Sequence, residues 1–93
     1  MNPSAGLIQD ELEARSISFA QAARSMDIPR SRLSDVFAGR KGVSADTALR
    51  LERYLGISAS LLIRLQADFD LSKASREKRA VLERIEPASA AAA

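Results

Sequence analysis

From Phe19 to Ala38 the chain reads FAQAARSMDIPRSRLSDVFA, and its small and apolar residues are spaced for two short helices that cross closely around a tight turn. Ala23 is small enough to let the helix backbones approach, while Met26, Ile28, Leu33 and Val36 fall where a crossed pair must bury side chains between and behind its helices. Ser18 is a good N-cap, and Gln21 three residues on completes a capping-box pattern for a helix running to about Met26. The break falls at Asp27, Ile28 and Pro29. Asp27 stands where the chain needs a left-handed residue, a conformation that Asp and Asn tolerate best after Gly. Pro29 suits the first turn of the second helix, where its missing N–H has no intrahelical bond to lose, and Gly39 is placed to end that helix with a left-handed cap. Pro and Gly thus bracket a helix of about ten residues, Pro29 to Ala38.

The flanking segments are helical as well. After a lead-in at Asn2 to Ser4, residues Leu7, Ile8 and Leu12, reaching toward Ile17, have helical spacing with an acidic outer face. Arg40 to Val43 forms a basic loop containing Gly42; Ser44 then caps a further helix with Asp46 in its first turn, where a carboxylate complements the positive helix end. Ala48, Leu49, Leu51 and Leu55 give that helix its apolar stripe, and Gly56 stops it. Ser58 opens a fifth helix through Leu61, Leu62, Leu65 and Phe69, extending toward Leu71. The expectation is an all-α protein, a five-helix bundle complete by residue 73. Residues 74–93 form a short C-terminal extension: charged from Lys73 to Arg79, then Val81, Leu82 and Ile85 on an amphipathic turn or two, then a frayed or disordered alanine-rich end after Pro87. Neither an internal repeat nor strand-like alternation is present.

Composition narrows the chemistry. With no Cys and no His among 93 residues, disulfides, thiolate or imidazole metal sites, Cys nucleophiles and Ser-His triads are excluded, and no cofactor is expected. Asp10, Glu11 and Glu13 lie on an exposed helix without a nucleophile, so an enzyme is the weakest reading. The longest apolar runs, such as Leu61 to Ile63, fall far short of the roughly 20 residues of a membrane span, and a basic secretory start is lacking. A soluble, cytoplasmic protein with no membrane partner is expected. A core this small also makes a partner subunit useful for stability. The formal net charge of +2 is uneven. Residues 24–53 carry seven basic against four acidic side chains, net +3, whereas residues 1–23 carry one against three, net −2.

That excess coincides with the paired helices, a helix-turn-helix that places its second helix against the major groove of DNA. On that helix Leu33, Val36 and Phe37 stand at i, i+3 and i+4 toward the core, which turns Arg30, Ser31, Ser34 and Asp35 outward with Arg32 at the border. An Arg fork matches the two acceptors of guanine, so Arg30 is the leading base reader, with Arg32 and Ser34 next. Asp35 would repel phosphate and is expected to orient Arg32 or to accept from a cytosine amino group. Arg40 and Lys41 suit phosphate, as do the helix starts at Ser18 and Ser44 and the hydroxyl of Thr47. Simple capping is the competing role for both serines, and ordinary solvation the competing role for the arginines.

From Ser18 to Leu71, about three quarters of the chain, the sequence resembles the HigA-type antitoxins of the Xre, phage-repressor-like helix-turn-helix family. The strongest match is GRKGVSADTALRLERYLGISASLLIRLQADFDL, residues 39–71, with its Gly and basic loop, Ser cap, DTALRL, Leu-Gly end and closing LQADFDL. Asn2 and Pro3 match the family's opening more faintly. Phe19 stands where the family usually has a phosphate-contacting Gln, Asp27 replaces the turn Gly, Leu62 or Ile63 stands near the usual Trp, and Phe69 replaces Tyr. The resemblance implies a lambda-repressor-like bundle acting as a homodimer, a palindromic operator in its own promoter, and a co-encoded HigB toxin, an mRNA-cleaving ribonuclease, as the protein to be neutralised. Two surfaces are candidates for the dimer: the fifth helix with Leu61, Leu65 and Phe69, and the tail stripe Val81, Leu82 and Ile85; core and toxin binding are the competing roles of both, core foremost for Leu65 and Phe69, and the tail stripe is the better choice for a partner. The alternative is a stand-alone phage-type repressor that binds DNA and has no toxin.

Overall fold

The computed structural model describes residues 3–88, so the lead-in at Asn2 and the expected disorder of the alanine-rich end fall largely outside the described residues. Among these residues six helices follow in order: α1 (Pro3–Ala14), α2 (Phe19–Met26), α3 (Arg30–Phe37), α4 (Ala45–Leu55), α5 (Ala59–Glu77) and α6 (Arg79–Glu83). No strand occurs among the described residues. Helix α2 packs on both α3 and α4, and α5 closes the bundle on α4 and α1.

Local signals explain most boundaries. The Ser18, Ser44 and Ser58 hydroxyls accept from the backbone N–H groups of Gln21, Thr47 and Leu61, so three helices start on the caps expected of them. Asp27 is left-handed, with φ 54° and ψ 50°, and Gly39 has φ 76°. Both ends close in the same way: Ile28 N–H reaches Ala23 O at 3.1 Å, and Arg40 N–H reaches Asp35 O at 2.9 Å, the long bond of a Schellman stop. α1 ends likewise, with Ser16 at φ 55° and Ile17 N–H on Leu12 O. The helix therefore stops at Ala14 instead of reaching Ile17, since nothing in the side chain of Ser16 marks it as a left-handed residue. Pro29 is extended, with ψ 140°, and is itself the N-cap; α3 begins one residue later than expected and runs for eight residues.

The core is one cluster: Ala5, Ile8 and Leu12 from α1, Ala22, Ala23 and Met26 from α2, Leu33 and Val36 from α3, Ala48, Leu51 and Leu55 from α4, with Ile28, Val43, Ile57 and Leu62 filling between. Leu49, expected in the stripe of α4, is 60% exposed instead. Its position one residue past Ala48 carries it out of the buried cluster, to the edge of a shallow hollow between α4 and α5. α5 departs more. Of its expected stripe only Leu62 is fully buried; Leu65 and Phe69 are half-buried, Leu61 is exposed, and Gln66 is buried in their place. α5 also runs straight through the expected boundary at residue 73, carried by the charged Lys73 to Glu77 segment, whose Lys73–Glu77 pair sits at helical i,i+4 spacing. The radius of gyration is 17.1 Å, where a compact chain of this length has about 12 Å. The distal part of α5 and α6 thus projects from the bundle as an arm.

Candidate nucleic-acid interface

The outward arc of α3 is where spacing put it. Leu33 and Val36 anchor the helix in the core, and Arg30, Ser31 and Arg32 are exposed at its start, while Ser34 and Asp35 are half-buried. No side chain caps α3, because Pro29 at the cap position has no acceptor to offer. Arg32 N–H turns back to Pro29 O at 3.0 Å, and the start of the helix is left without a side-chain acceptor beside Arg30, whose side chain makes no ion pair among the described residues.

Next to α3 the chain folds a cleft of about 310 Å³, lined by Ser31, Arg32 and Asp35 from α3, Lys41 and Gly42 from the loop, and Ser44 and Thr47 from the start of α4. Six of the residues expected to touch DNA are thereby brought to one concavity, while Arg30, Ser34 and Arg40 lie beside it and Ser18 caps α2 elsewhere on the surface. Thr47 is only 2% exposed, and its Oγ1 accepts a hydrogen bond from Ser44 Oγ at 3.1 Å. It braces the cap from the wall of the cleft. Ser44 is exposed and holds Thr47 N–H, so its hydroxyl is engaged in capping.

The carboxylates of the site are all spoken for. Asp35 was expected to orient Arg32, but its Oδ1 takes Arg40 Nε at 2.7 Å and its Oδ2 lies 4.0 Å from Lys41 Nζ. The Schellman stop after α3 is the reason: it turns Arg40 and Lys41 back over the end of the helix, and their backbone N–H groups both reach Asp35 O. Arg32 turns the other way, to Asp46 Oδ2 at 3.1 Å. Asp46 also receives Arg50 Nε at 3.1 Å, and Arg50 Nη1 donates to Met26 O at 2.7 Å and Asp27 O at 2.9 Å. A chain of charge-assisted bonds therefore runs from the end of α2 through Arg50 and Asp46 to Arg32 on α3. These pairs are solvent-exposed, each worth at most about 1 kcal/mol, and their effect is orientation more than stability.

Two features escaped the sequence reading. Arg50 holds the carbonyls at the turn between α2 and α3, a contact 23 and 24 residues away along the chain; only its i,i+4 spacing to Asp46 was legible. Gln66, buried in α5, accepts Val43 N–H on Oε1 at 3.1 Å and donates from Nε2 to Asp70 at 2.9 Å, fixing the basic loop from behind. A polar residue at i+4 from Leu62 on an otherwise apolar face was the available sign. Phe19 stacks on Phe37, with ring centroids 4.4 Å apart, and so ties the start of α2 to the end of α3.

Comparison with known proteins agrees with this geometry. The profile of a family described as Helix-turn-helix matches residues 6–62. Virulence-associated protein I of Dichelobacter nodosus is 30% identical over 81 residues, covering 87% of this chain and 75% of that protein. Among solved structures, Pseudomonas aeruginosa antitoxin HigA with higBA promoter superposes with a TM-score of 0.83 at 30% identity, covering 96% of this chain and 98% of that one. An addiction module antidote protein of a HigA family from Coxiella burnetii gives 0.80 at 25% identity, covering 95% and 97%.

Proposed function

Since the chain belongs to the helix-turn-helix family, among its HigA-like antitoxins, we propose that it acts as a dimeric repressor of its own operon and neutralises a co-encoded HigB-like ribonuclease toxin. The observation that carries the DNA half is the uncapped start of α3, with Arg30 unpaired and the cleft of Ser31, Arg32, Lys41 and Ser44 beside it. In this reading Arg30 enters the major groove and forks onto a guanine, Arg32 and Ser34 read or brace neighbouring positions, and Arg40 and Lys41 hold phosphates. Asp35 keeps Arg40 and Lys41 near the end of α3, so it serves the interface by placing cations and not by touching DNA. Ser18 and Ser44 present helix starts to the backbone of the duplex. Thr47 supports Ser44 from within.

Two half-sites about 34 Å apart require two copies of α3, which makes the homodimer part of the mechanism. The toxin half is supported by the antitoxin relatives and by the projecting arm, whose Val81, Leu82 and Ile85 are exposed and unpartnered in the protomer. Co-expression with the adjacent reading frame tests this half: a small basic protein should co-purify and its growth arrest should be relieved. A protein that binds its promoter but yields neither result would be a stand-alone repressor.

A further inference from the structure

Two arginines stand at the exposed start of α3, and their surroundings differ. Arg30 makes no ion pair among the described residues, whereas Arg32 Nη1 donates to Asp46 Oδ2 at 3.1 Å. Asp46 is itself fastened. Arg50 Nε lies 3.1 Å from each of its oxygens, and Arg50 Nη1 is anchored on Met26 O and Asp27 O at the turn between α2 and α3. Its place in the first turn of α4, at the positive end of that helix, favours a carboxylate as well. Arg32 is therefore held at its tip, before any duplex arrives, by an anion that is fixed in turn.

We propose that Asp46 is a positioning residue that makes Arg32 a selective reader of guanine and a poor ligand for phosphate. The inference rests on the operator reading and names a residue that sets its specificity. A guanidinium carries five N–H donors in a planar fork. One at Nη1 serves Asp46, and the other four suffice for the O6 and N7 of a guanine at the same time. Holding a long side chain in place ahead of binding also lowers the rotamer entropy lost when it reaches a base edge. The charge of Asp46 supplies the discrimination. The acceptors of guanine are neutral and approach Arg32 with the carboxylate still in place. A phosphate bonded to the same guanidinium lies close to a second anion and is repelled. Both side chains face solvent, which weakens the repulsion without removing it, since two anions sharing one guanidinium sit within a Debye length. On random DNA, where phosphate contacts hold the protein, Arg32 consequently contributes little; on the operator it contributes a base contact. Asp35 does not do the same for Arg32, because it is taken up by Arg40 and Lys41.

The test compares the full chain with Asp46→Asn, Arg32→Ala and the double variant. Each is titrated at several salt concentrations onto a duplex from its own promoter, single-base variants of that duplex, and a random duplex of equal length. Asparagine keeps the size and one acceptor of the side chain but not its charge, and helical circular dichroism should match the wild type throughout. Arg32→Ala should relax one base pair of the promoter by about tenfold. Asp46→Asn should relax the same base pair by about fivefold, bind the random duplex more tightly, and raise the salt slope there by about one unit as Arg32 turns to phosphate. In the double variant most of the gain on random DNA should be lost, since it acts through Arg32. An unchanged base profile in Asp46→Asn, relaxation at a different base pair, or equal weakening on promoter and random DNA would each overturn the proposal and leave the operator reading intact. A wild type that prefers its promoter no more than random DNA sinks both.

Discussion

Arg30 and Lys41 divide the proposed contact with DNA into a part that reads sequence and a part that holds position. Arg30→Ala should weaken promoter binding by about 1–3 kcal/mol and relax one base position, because it removes a bidentate contact to a base edge. Lys41→Ala should weaken all sequences alike and lower the salt slope by about one unit, since it removes a phosphate contact. Binding titrations on a set of single-base variants at several salt concentrations separate the two; identical behaviour of both mutants would dissolve the distinction. The same loop has a steric dependence. A Cβ at Gly42 would stand 2.7 Å from Gln66 Cδ, and Gln66 is not free to yield because it is buried and holds Val43 N–H. Gly42→Ala should therefore cost about 1–2 kcal/mol in thermal unfolding and speed hydrogen exchange at Val43. Arg30 was legible because a single period, counted from Leu33 and Val36, fixes the outward arc. Gln66 was not, because its role depends on which loop lies against α5.

At the level of elements, the turn between α2 and α3 is held from outside by α4. Arg50→Ala should remove the donors from Met26 O and Asp27 O and detach Asp46 from α2, a loss of about 1–2 kcal/mol that lowers Tm by roughly 5–10 °C. Circular dichroism melts measure it, and an unchanged Tm would mean that the turn is fixed by Asp27 and the core alone. The caps at Ser18, Ser44 and Ser58 and the stops at Asp27, Gly39 and Gly56 were readable, because capping depends on residues within one helical turn. The stop at Ser16 and the pairing of Asp35 with Arg40 were not. In the first a residue without special backbone freedom takes the left-handed position, and in the second the geometry of the stop, not the i,i+3 spacing to Arg32, decides which cation the carboxylate meets. The faces of α5 were misread for a related reason: Leu61, Leu62, Leu65 and Phe69 follow a helical period, but only the partner helices α1 and α4 determine how much of it is covered.

The whole molecule is a small bundle with an arm: α3 and the basic loop form the face proposed for DNA, and Val81, Leu82 and Ile85, exposed on the arm, form the face proposed for a toxin. Removing the arm should test the independence of these surfaces. Truncation after Arg76 leaves the buried cluster, which ends at Leu62, intact, and should keep promoter binding within about twofold while abolishing toxin capture. Loss of promoter binding on truncation would show that the arm belongs to the dimer or to the DNA contact. Operator binding in this molecule depends on which face meets DNA. Backbone amide shifts of the full chain, followed while a duplex from its own promoter is added, measure that face directly. They should concentrate on residues 30–35 and 40–47 and leave 79–85 unmoved; shifts centred on α1 or on the arm, with α3 silent, would contradict it.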